Sequence, residues 1–423
     1  MATLKYRPLN LGRWLVWGAT ALVMIVLPLA FTSGFTLTLM SQIGIGIIFA
    51  LSYNMLLGQG GMLSFGHAVY SGLGAYFTVH ALNLISKGNF YFPVTLAPLI
   101  GGAAGAVFGV LFGYVTTKKS GTTFAMISLG IGEMVAACSL MFAGFFGGEA
   151  GISTNRVIGE SFLGINYGPS IQVYYLIVGW AFVCMMAMFA WTQTPLGRMA
   201  NAVRDNPERA EFVGYDTHMV RFLTLLLSSF FAGIAGGLSC INYEIVTAEN
   251  VGALRSAGVL IATFIGGAGF FFGPIIGSVV YFTMVTAVGA MTQAWAFYLG
   301  LMFLLIVLYA PGGFASLIAM HVPLIKARMM RRLWLPYAAA AATGMVLLAG
   351  LISIVEMTYR FSLEAGTNPE MQLFGLAFNV THATPWAVAA GLLLGGFVIS
   401  RFAWKMVGSA WADIVHILQD RSA

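Results

Sequence analysis

The chain has 423 residues, of which 59% are hydrophobic and only 8% are charged. Soluble domains carry about 25% charged residues, so this composition excludes a water-soluble fold of this size and predicts a membrane protein. The formal net charge of +6 does not indicate nucleic-acid binding, because the basic residues lie between apolar segments, where they fit the control of membrane topology. Cys138, Cys184 and Cys240 all lie in apolar stretches and are interpreted as buried small side chains, with neither a disulfide framework nor a metal site.

Apolar segments long enough for membrane-spanning helices recur along the whole chain. A spanning helix needs about 20 mostly apolar residues. The segments are predicted at 14–31, 37–57, 64–86, 94–117, 122–146, 171–193, 219–242, 256–270, 274–291, 295–311, 335–357 and 385–402. The first follows three basic residues as a signal peptide does, but its length and the spans after it favour an uncleaved helix. The sequence therefore predicts an all-α, polytopic bundle with interrupted helices, about ten core spans and about two further spans near the C-terminus.

The distribution of positive charge predicts an orientation. An even number of spans places both termini on one side. The basic residues on that side are Lys5, Arg7, Arg13, Lys118, Lys119, Arg198, Arg204, Arg209, Arg221, Lys326, Arg328, Arg331, Arg332, Arg401, Lys405 and Arg421, whereas those opposite are Lys87, Arg156, Arg255 and Arg360. Because cytoplasmic loops carry the excess of Lys and Arg, both termini are predicted to be cytoplasmic.

Glycines line one face of the fourth span. Gly101, Gly105, Gly109 and Gly113 recur every four residues, and this spacing lets a second backbone approach closely. Both a moving seam and static packing are compatible with such a stripe.

Two glycine-rich stretches interrupt the apolar pattern and resemble each other. They are Gly58-Gln-Gly-Gly-Met-Leu-Ser-Phe-Gly-His67 and Gly266-Gly-Ala-Gly-Phe-Phe-Phe-Gly-Pro274, and each contains an aromatic residue followed by glycine. They are either interrupted helices that line a substrate path or turns between spans. The first interpretation gives as candidate path residues Asn54, Gln59, Ser64, His67 and Tyr70, faced by Gly267, Gly269 and Gly273.

Two ionisable residues near these stretches have open roles. Glu133 is the acidic residue predicted deep in a span, where it either contacts a substrate ammonium or gates the path, or bonds a neighbouring hydroxyl such as that of Ser128. His67 is either a path residue or a structural residue near a helix start.

The segment 194–216 is the longest charged stretch between spans. Thr194 and Asn206 are typical helix caps, each followed by proline, and Gly214 is typical of a helix end. Two short helices at an angle are therefore predicted, with Ala202, Val203, Ala210, Phe212 and Val213 offering an apolar face. A small apolar patch ringed by charge is typical of a docking surface for a soluble partner, although a solvated helical connector has the same pattern.

The same loop resembles the Glu-Ala-Ala…Gly loop of ATP-binding-cassette (ABC) importer permeases. With the two glycine-rich stretches and Ser229-Phe-Phe-Ala-Gly-Ile-Ala-Gly-Gly237, the chain resembles the branched-chain amino-acid permease family, larger-subunit type, over roughly 35–320. Pro207 and Arg209 depart from the commoner residues of that loop. The resemblance implies a permease core at 1–320 and an extension at 321–423 with no carried-over role. It also implies that the loop couples an ATPase to the pore through Arg204, Asp205, Asn206, Pro207, Glu208, Arg209, Ala210, Glu211 and Gly214.

The resemblance further implies a multi-subunit importer and no enzyme activity in this chain. The expected partners are a second related permease subunit, two cytoplasmic ATPase subunits and a periplasmic binding protein, in a bacterial-type inner membrane. The chain has no Gly-x4-Gly-Lys-Ser/Thr phosphate loop, so ATP and Mg are expected on the ATPase subunits and no cofactor in this chain. The expected cargo is a branched-chain amino acid or a similar amino acid, amide or carboxylate. An ion-coupled secondary transporter or channel is the alternative.

Overall fold

The computed structural model describes residues 11–89, 91–158, 165–364 and 370–420. Lys5, Arg7 and Arg421, which entered the charge count, lie outside these ranges. The described chain is almost entirely helical, which confirms the predicted all-α class. The α-helices are, in chain order, α1 Leu11–Ala30, α2 Gly34–Asn54, α3 Ala68–Ser86, α4 Ala97–Thr116, α5 Gly121–Met141, α6 Ala143–Phe146, α7 Ser170–Gln193, α8 Pro195–Asp205, α9 Pro207–Phe212, α10 Thr217–Tyr243, α11 Ala253–Gly266, α12 Gly273–Phe282, α13 Trp295–Tyr309, α14 Gly313–Lys326, α15 Trp334–Glu364 and α16 Ala383–Asp420.

Short elements complete the chain. Two antiparallel strand pairs join β1 Ile152–Ser153 to β2 Ile245–Val246, and β3 Glu370–Leu373 to β4 Leu376–Asn379. The helices α2 and α12 continue as π-helical turns over Met55–Gln59 and Thr283–Val288, and 3₁₀ turns lie at Val94–Leu96, Gly148–Ala150, Ala248–Val251 and Met330–Arg332.

Fewer helices cross a membrane at full length than the twelve predicted. Among the described residues, seven are long and apolar enough, namely α2 with its π-turn, α4, α5, α7, α10, α15 and α16, and α13 with α14 makes an eighth if the bent pair is one span. The predicted spans at 256–270 and 274–291 correspond to the short helices α11 and α12. The 14 residues of α11 extend about 21 Å, whereas the hydrocarbon core is about 30 Å thick.

The chain divides into two compact units, 1–287 with 302–316, and 288–301 with 317–423. In the first unit, α10 lies at the centre, and most of its spanning stretch is buried. The glycine stripe of α4 packs on it: a Cβ at Gly105 would lie 2.3 Å from the carbonyl oxygen of Ser229, and one at Gly101 would lie 2.5 Å from that of Gly233. The predicted close approach of two backbones is confirmed. Cys184 and Cys240 are buried as predicted, and Cys138 is half-buried.

The second unit is built on an antiparallel helix pair. Gly350 of α15 lies against the backbone of Leu393 in α16, and Gly396 of α16 lies against that of Leu347. Unlike the predicted boundary near residue 320, the division by packing assigns 288–301 to this unit, and Glu356 in α15 accepts a hydrogen bond from Thr292 (2.7 Å). The domain assignment of the extension stays a prediction.

Candidate functional site

The loop between α7 and α10 folds as the two predicted helices. Thr194 caps α8 and Asn206 caps α9, and in each case the side-chain oxygen accepts a hydrogen bond from the backbone N–H of the helix's third residue, at 3.3 and 2.9 Å. Pro195 and Pro207 are the first residues of the two helices. Gly214 follows with φ of 95°, a conformation that favours glycine. The local capping chemistry thus determines this loop.

The predicted apolar face of the loop is wrong in part, because its members point in two directions. Val203 (2% exposed) and Ala210 (5% exposed) belong to the main hydrophobic core. Phe212 (90% exposed) and Val213 (71% exposed) point away from it, as do the neighbouring polar residues of α9. Successive helical residues are turned by about 100°, so one short helix presents one apolar side inward and another outward. The outward patch is the end of α9.

The inner side of α8 holds the first glycine-rich stretch. The Arg204 guanidinium donates a hydrogen bond to the Gly58 carbonyl oxygen and pairs with Asp205 at 2.8 Å. Asn201 Nδ2 donates to Gln59 Oε1 at 2.8 Å. At Gly61, where φ is 64°, a Cβ would lie 2.6 Å from the Arg204 side chain. Arg204 and Gln59 therefore join the loop to the end of α2.

Beyond Gly61 the chain turns back into the bundle without forming a helix. Met62 N donates to the Leu56 carbonyl oxygen at 2.9 Å, and α3 begins only at Ala68. His67 is fully buried beside α2: its Nε2 lies 3.0 Å from Ser52 Oγ, and its ring stacks on Phe49 with centroids 5.4 Å apart. We call residues 60–67 the unwound segment.

Side chains from distant helices satisfy the backbone of the unwound segment and of the start of α3. Phe65 N donates to Ser128 Oγ at 3.1 Å, and Ala68 N donates to Ser256 Oγ at 2.9 Å. Gly66 packs so closely on α5 that a Cβ would lie 2.1 Å from the Ser128 carbonyl oxygen. Non-helical backbone inside a membrane bundle requires such cover. Of the two open interpretations, the contacts favour an interrupted helix over a simple turn at this stretch.

The second glycine-rich stretch is a tight turn between α11 and α12. Gly267 has φ of 108°, and a Cβ there would lie 2.2 Å from the Gly312 carbonyl oxygen. Gly273 packs on the Gly267 carbonyl, whereas Gly269 has no neighbour within 4 Å of a Cβ. A Cβ at Gly58 would lie 2.2 Å from the Ala268 carbonyl oxygen, so the two stretches are in contact.

The other predicted path residues divide into a buried cluster and an exposed carboxylate. Asn54, Ser64, His67 and Tyr70 are all buried, and among the described residues Asn54 Oδ1 and His67 Nδ1 have no hydrogen-bond partner. Glu133 lies apart from them on an exposed face of α5. The open alternative that pairs it with Ser128 is wrong, because the Ser128 hydroxyl donates to the Ala125 carbonyl and accepts the Phe65 N–H.

Sequence reasoning missed one charged site. At the end of α10 remote from the α8–α9 loop, a cavity of about 170 Å³ opens beside Arg255. Ser239 of α10, which accepts a hydrogen bond from Arg255, lies about 33 Å from Thr217 at the loop end of that helix, at 1.5 Å per residue. Arg255 was counted as a loop residue because it directly precedes the predicted span 256–270. In the structure Arg255 is the third residue of α11, and an ionisable residue inside an apolar membrane helix is a signal for a functional site.

Comparisons with known proteins decide the family. Residues 35–310 match the family described as "Branched-chain amino acid transport system / permease component". The chain belongs to this family. It is 27% identical over 301 residues to the high-affinity branched-chain amino acid transport system permease protein LivM of Salmonella typhimurium, which covers 66% of this chain and 69% of the relative.

Further relatives carry similar descriptions. The LivM protein of Escherichia coli matches with the same identity and coverage. The permease protein BraD of Pseudomonas aeruginosa is 23% identical over 240 residues, which is 54% of this chain and 77% of the relative. No solved structure matches the chain significantly.

Proposed function

We propose that the chain is the membrane-spanning permease subunit of an ABC importer. It moves a branched-chain amino acid, or a similar amino acid, amide or carboxylate, into the cytoplasm, and partner ATPase subunits supply the energy. One observation carries the proposal: the α8–α9 loop has an exposed apolar end at Phe212 and Val213, while its other side is bonded to Gly58 and Gln59. A surface for a soluble partner and a contact with the interrupted helix are thus combined in the one loop 194–216.

The two sides of the loop have different proposed roles. Glu208 and Arg209 are exposed and flank the apolar end of α9, so they are assigned to ATPase contact. Arg204 is assigned to transmission, because its guanidinium bonds the Gly58 carbonyl. Glu211 holds the loop to α10 by accepting a hydrogen bond from Thr217 at 2.8 Å.

Transmission is proposed to act on the end of α2 and on the unwound segment that follows it. The π-turn Met55–Gln59 ends α2 and leads directly into the unwound segment, and α8 contacts it at Gly58 and Gln59. A shift of α8 therefore pulls on the end of α2 and on the buried cluster around His67. The second permease subunit, the two ATPase subunits and the periplasmic binding protein remain the proposed partners.

Charge reversal at the exposed side tests the proposal. We expect Glu208→Lys to lower solute-stimulated ATP hydrolysis and uptake in the complex reconstituted with its partners, while capture of solute by the binding protein is unchanged. Glu370→Lys, at an exposed strand residue of the C-terminal unit, is the matched control. If the complex with Glu208→Lys hydrolyses ATP at the wild-type rate when solute is present, the assignment of this surface to ATPase contact is contradicted.

Co-purification tests the partner set. The full chain, expressed with its neighbours and extracted in mild detergent, is expected to bring down an ATPase and a second permease. A chain that comes down alone and transports in liposomes without ATP would support ion-coupled secondary transport in its place.

A further inference from the structure

The cavity beside Arg255 lies among α2, α10, α11 and α12. Its polar and aromatic lining residues are Gln42, Phe49, Ser239, Tyr243, Arg255 and Tyr281. The rest of the lining is mainly apolar, with Val259 and Ala262 on one wall. Its volume of about 170 Å³ is below the roughly 300–1,000 Å³ of pockets for drug-sized ligands, which limits an occupant to a small solute.

Arg255 brings a positive charge into this cavity, and it pairs with no carboxylate among the described residues. Its guanidinium donates to Asn250 Oδ1 and to Ser239 Oγ at 3.2 Å, and its central carbon lies 5.8 Å from the centre of the Phe49 ring. All three are neutral groups. In the described ranges, the ion pairs are Arg156 with Glu244 and Arg204 with Asp205, so neither uses Arg255.

An arginine in this position is poised for an anion. The guanidinium stays charged in proteins, and a half-buried charge is stabilised when an opposite charge pairs with it. It carries five N–H donors, of which the contacts above engage two. The planar fork of a guanidinium matches a carboxylate, which it binds through two parallel hydrogen bonds.

We propose that this cavity binds a small carboxylate solute, with the carboxylate on Arg255 and an apolar body against Phe49, Val259 and Ala262. The identity of the solute rests on the proposed function. Among the described residues that line the cavity none is acidic, so an ammonium group on the solute meets neutral acceptors there. The carboxylate is therefore required for binding, and the amino group contributes less.

The cavity is connected to the unwound segment by direct contacts. Ser256, the residue after Arg255, accepts the hydrogen bond from the backbone N–H of Ala68 at the start of α3. The Phe49 ring contacts the Arg255 guanidinium and also stacks on the His67 ring. Arg255 and Phe49 thus connect an occupant of the cavity to His67 at one end of the unwound segment. The other end of that segment contacts α8 at Gly61.

Direct binding to the full-length chain tests the proposal. The chain is placed in phosphatidylcholine nanodiscs, and calorimetry measures binding of L-leucine, 4-methylpentanoate, which lacks the amino group, and L-leucinamide, which lacks the carboxylate. We expect the first two to bind and leucinamide to bind about tenfold to a hundredfold more weakly, the loss for one charge-assisted contact. Equal binding of leucine and leucinamide would overturn the proposal.

Variants place the effect at one side chain. Arg255→Gln is expected to lose leucine binding by a similar factor and Arg255→Lys by less, while Lys87→Gln, at an exposed lysine outside the cavity lining, binds as the wild type does. Wild-type binding by Arg255→Gln would overturn the proposal. If thermal unfolding shows that Arg255→Gln does not fold, the comparison of leucine with leucinamide on the wild type decides.

Two further measurements are needed. One distinguishes a carboxylate solute from phosphate or a lipid headgroup, and the other distinguishes failure of the cavity proposal from failure of the proposed function. Displacement of leucine by inorganic phosphate or by phosphatidylglycerol in the nanodiscs, at concentrations below that of leucine, would assign the cavity to a phosphate or a lipid headgroup and overturn the solute assignment. Uptake by the complex that is ATP-driven in the wild type and equal in Arg255→Gln would overturn the cavity proposal alone. Wild-type uptake that needs no ATP would overturn the proposed function, whereas the binding data would still stand.

Discussion

Removal of the Arg204 side chain is expected to impair transmission from the loop to α2 while leaving docking of the ATPase on the loop intact. Arg204→Ala removes the hydrogen bond to the Gly58 carbonyl and the side chain that packs on Gly61, while the exposed end of α9 is unchanged. A hydrogen bond from a charged donor contributes about 1.5–3 kcal/mol, and 1.4 kcal/mol corresponds to about tenfold. We expect solute moved per ATP hydrolysed to fall roughly tenfold or more. Of the described hydrogen bonds between α8 and the end of α2, the one from Asn201 to Gln59 is then left.

The assay measures three quantities on the reconstituted complex: ATPase retained on the purified chain, ATP hydrolysis and solute uptake. Arg204→Ala is expected to keep the first two and lose the third. Arg198→Ala, at an exposed arginine of the same helix, is the matched control. Loss of the ATPase from Arg204→Ala, or uptake per ATP equal to that of the control, would refute the division of the loop into an outer and an inner side.

Two other predictions concern packing and docking. Gly105→Ala is expected to lower the thermal unfolding temperature, because its Cβ would lie 2.3 Å from the Ser229 carbonyl oxygen and such overpacking costs about 1–3 kcal/mol. The control is Gly130→Ala, where nothing lies within 4 Å of the added Cβ, and it is expected to leave the unfolding temperature unchanged or raise it. Equal shifts of the unfolding temperature in the two variants would contradict the packing argument. Phe212→Ala is expected to weaken ATPase retention without changing the unfolding temperature, because the side chain is 90% exposed; full retention in a pull-down would remove Phe212 from the docking surface.

The α8–α9 loop was predictable because its structure is determined locally. Thr194 and Asn206 each cap a helix that begins with proline, and Gly214 ends the second, so the bounds follow from chemistry within a few residues. Which apolar residues face outward was not predictable. Val203 and Phe212 are both apolar, and only the docking of α8 on the bundle separates the buried one from the exposed one.

The unwound segment and the Arg255 cavity depend on contacts that are remote in sequence. The backbone of 60–67 is held by Ser128, and the start of α3 by Ser256, and no local pattern pairs these residues. Arg255 lies one residue before a predicted span, so the charge count placed it among the loop residues opposite the termini. The stripe around Gly105 was predicted correctly because spacing by four needs no knowledge of the partner helix.

ATP-driven uptake distinguishes the permease subunit of an ABC importer from an ion-coupled transporter. The complex is placed in liposomes with ATP enclosed, and the binding protein loaded with labelled leucine is added outside. We expect accumulation of leucine that requires both the enclosed ATP and the ATPase subunits. Accumulation by the chain alone, without ATP and driven by an ion gradient, would contradict it.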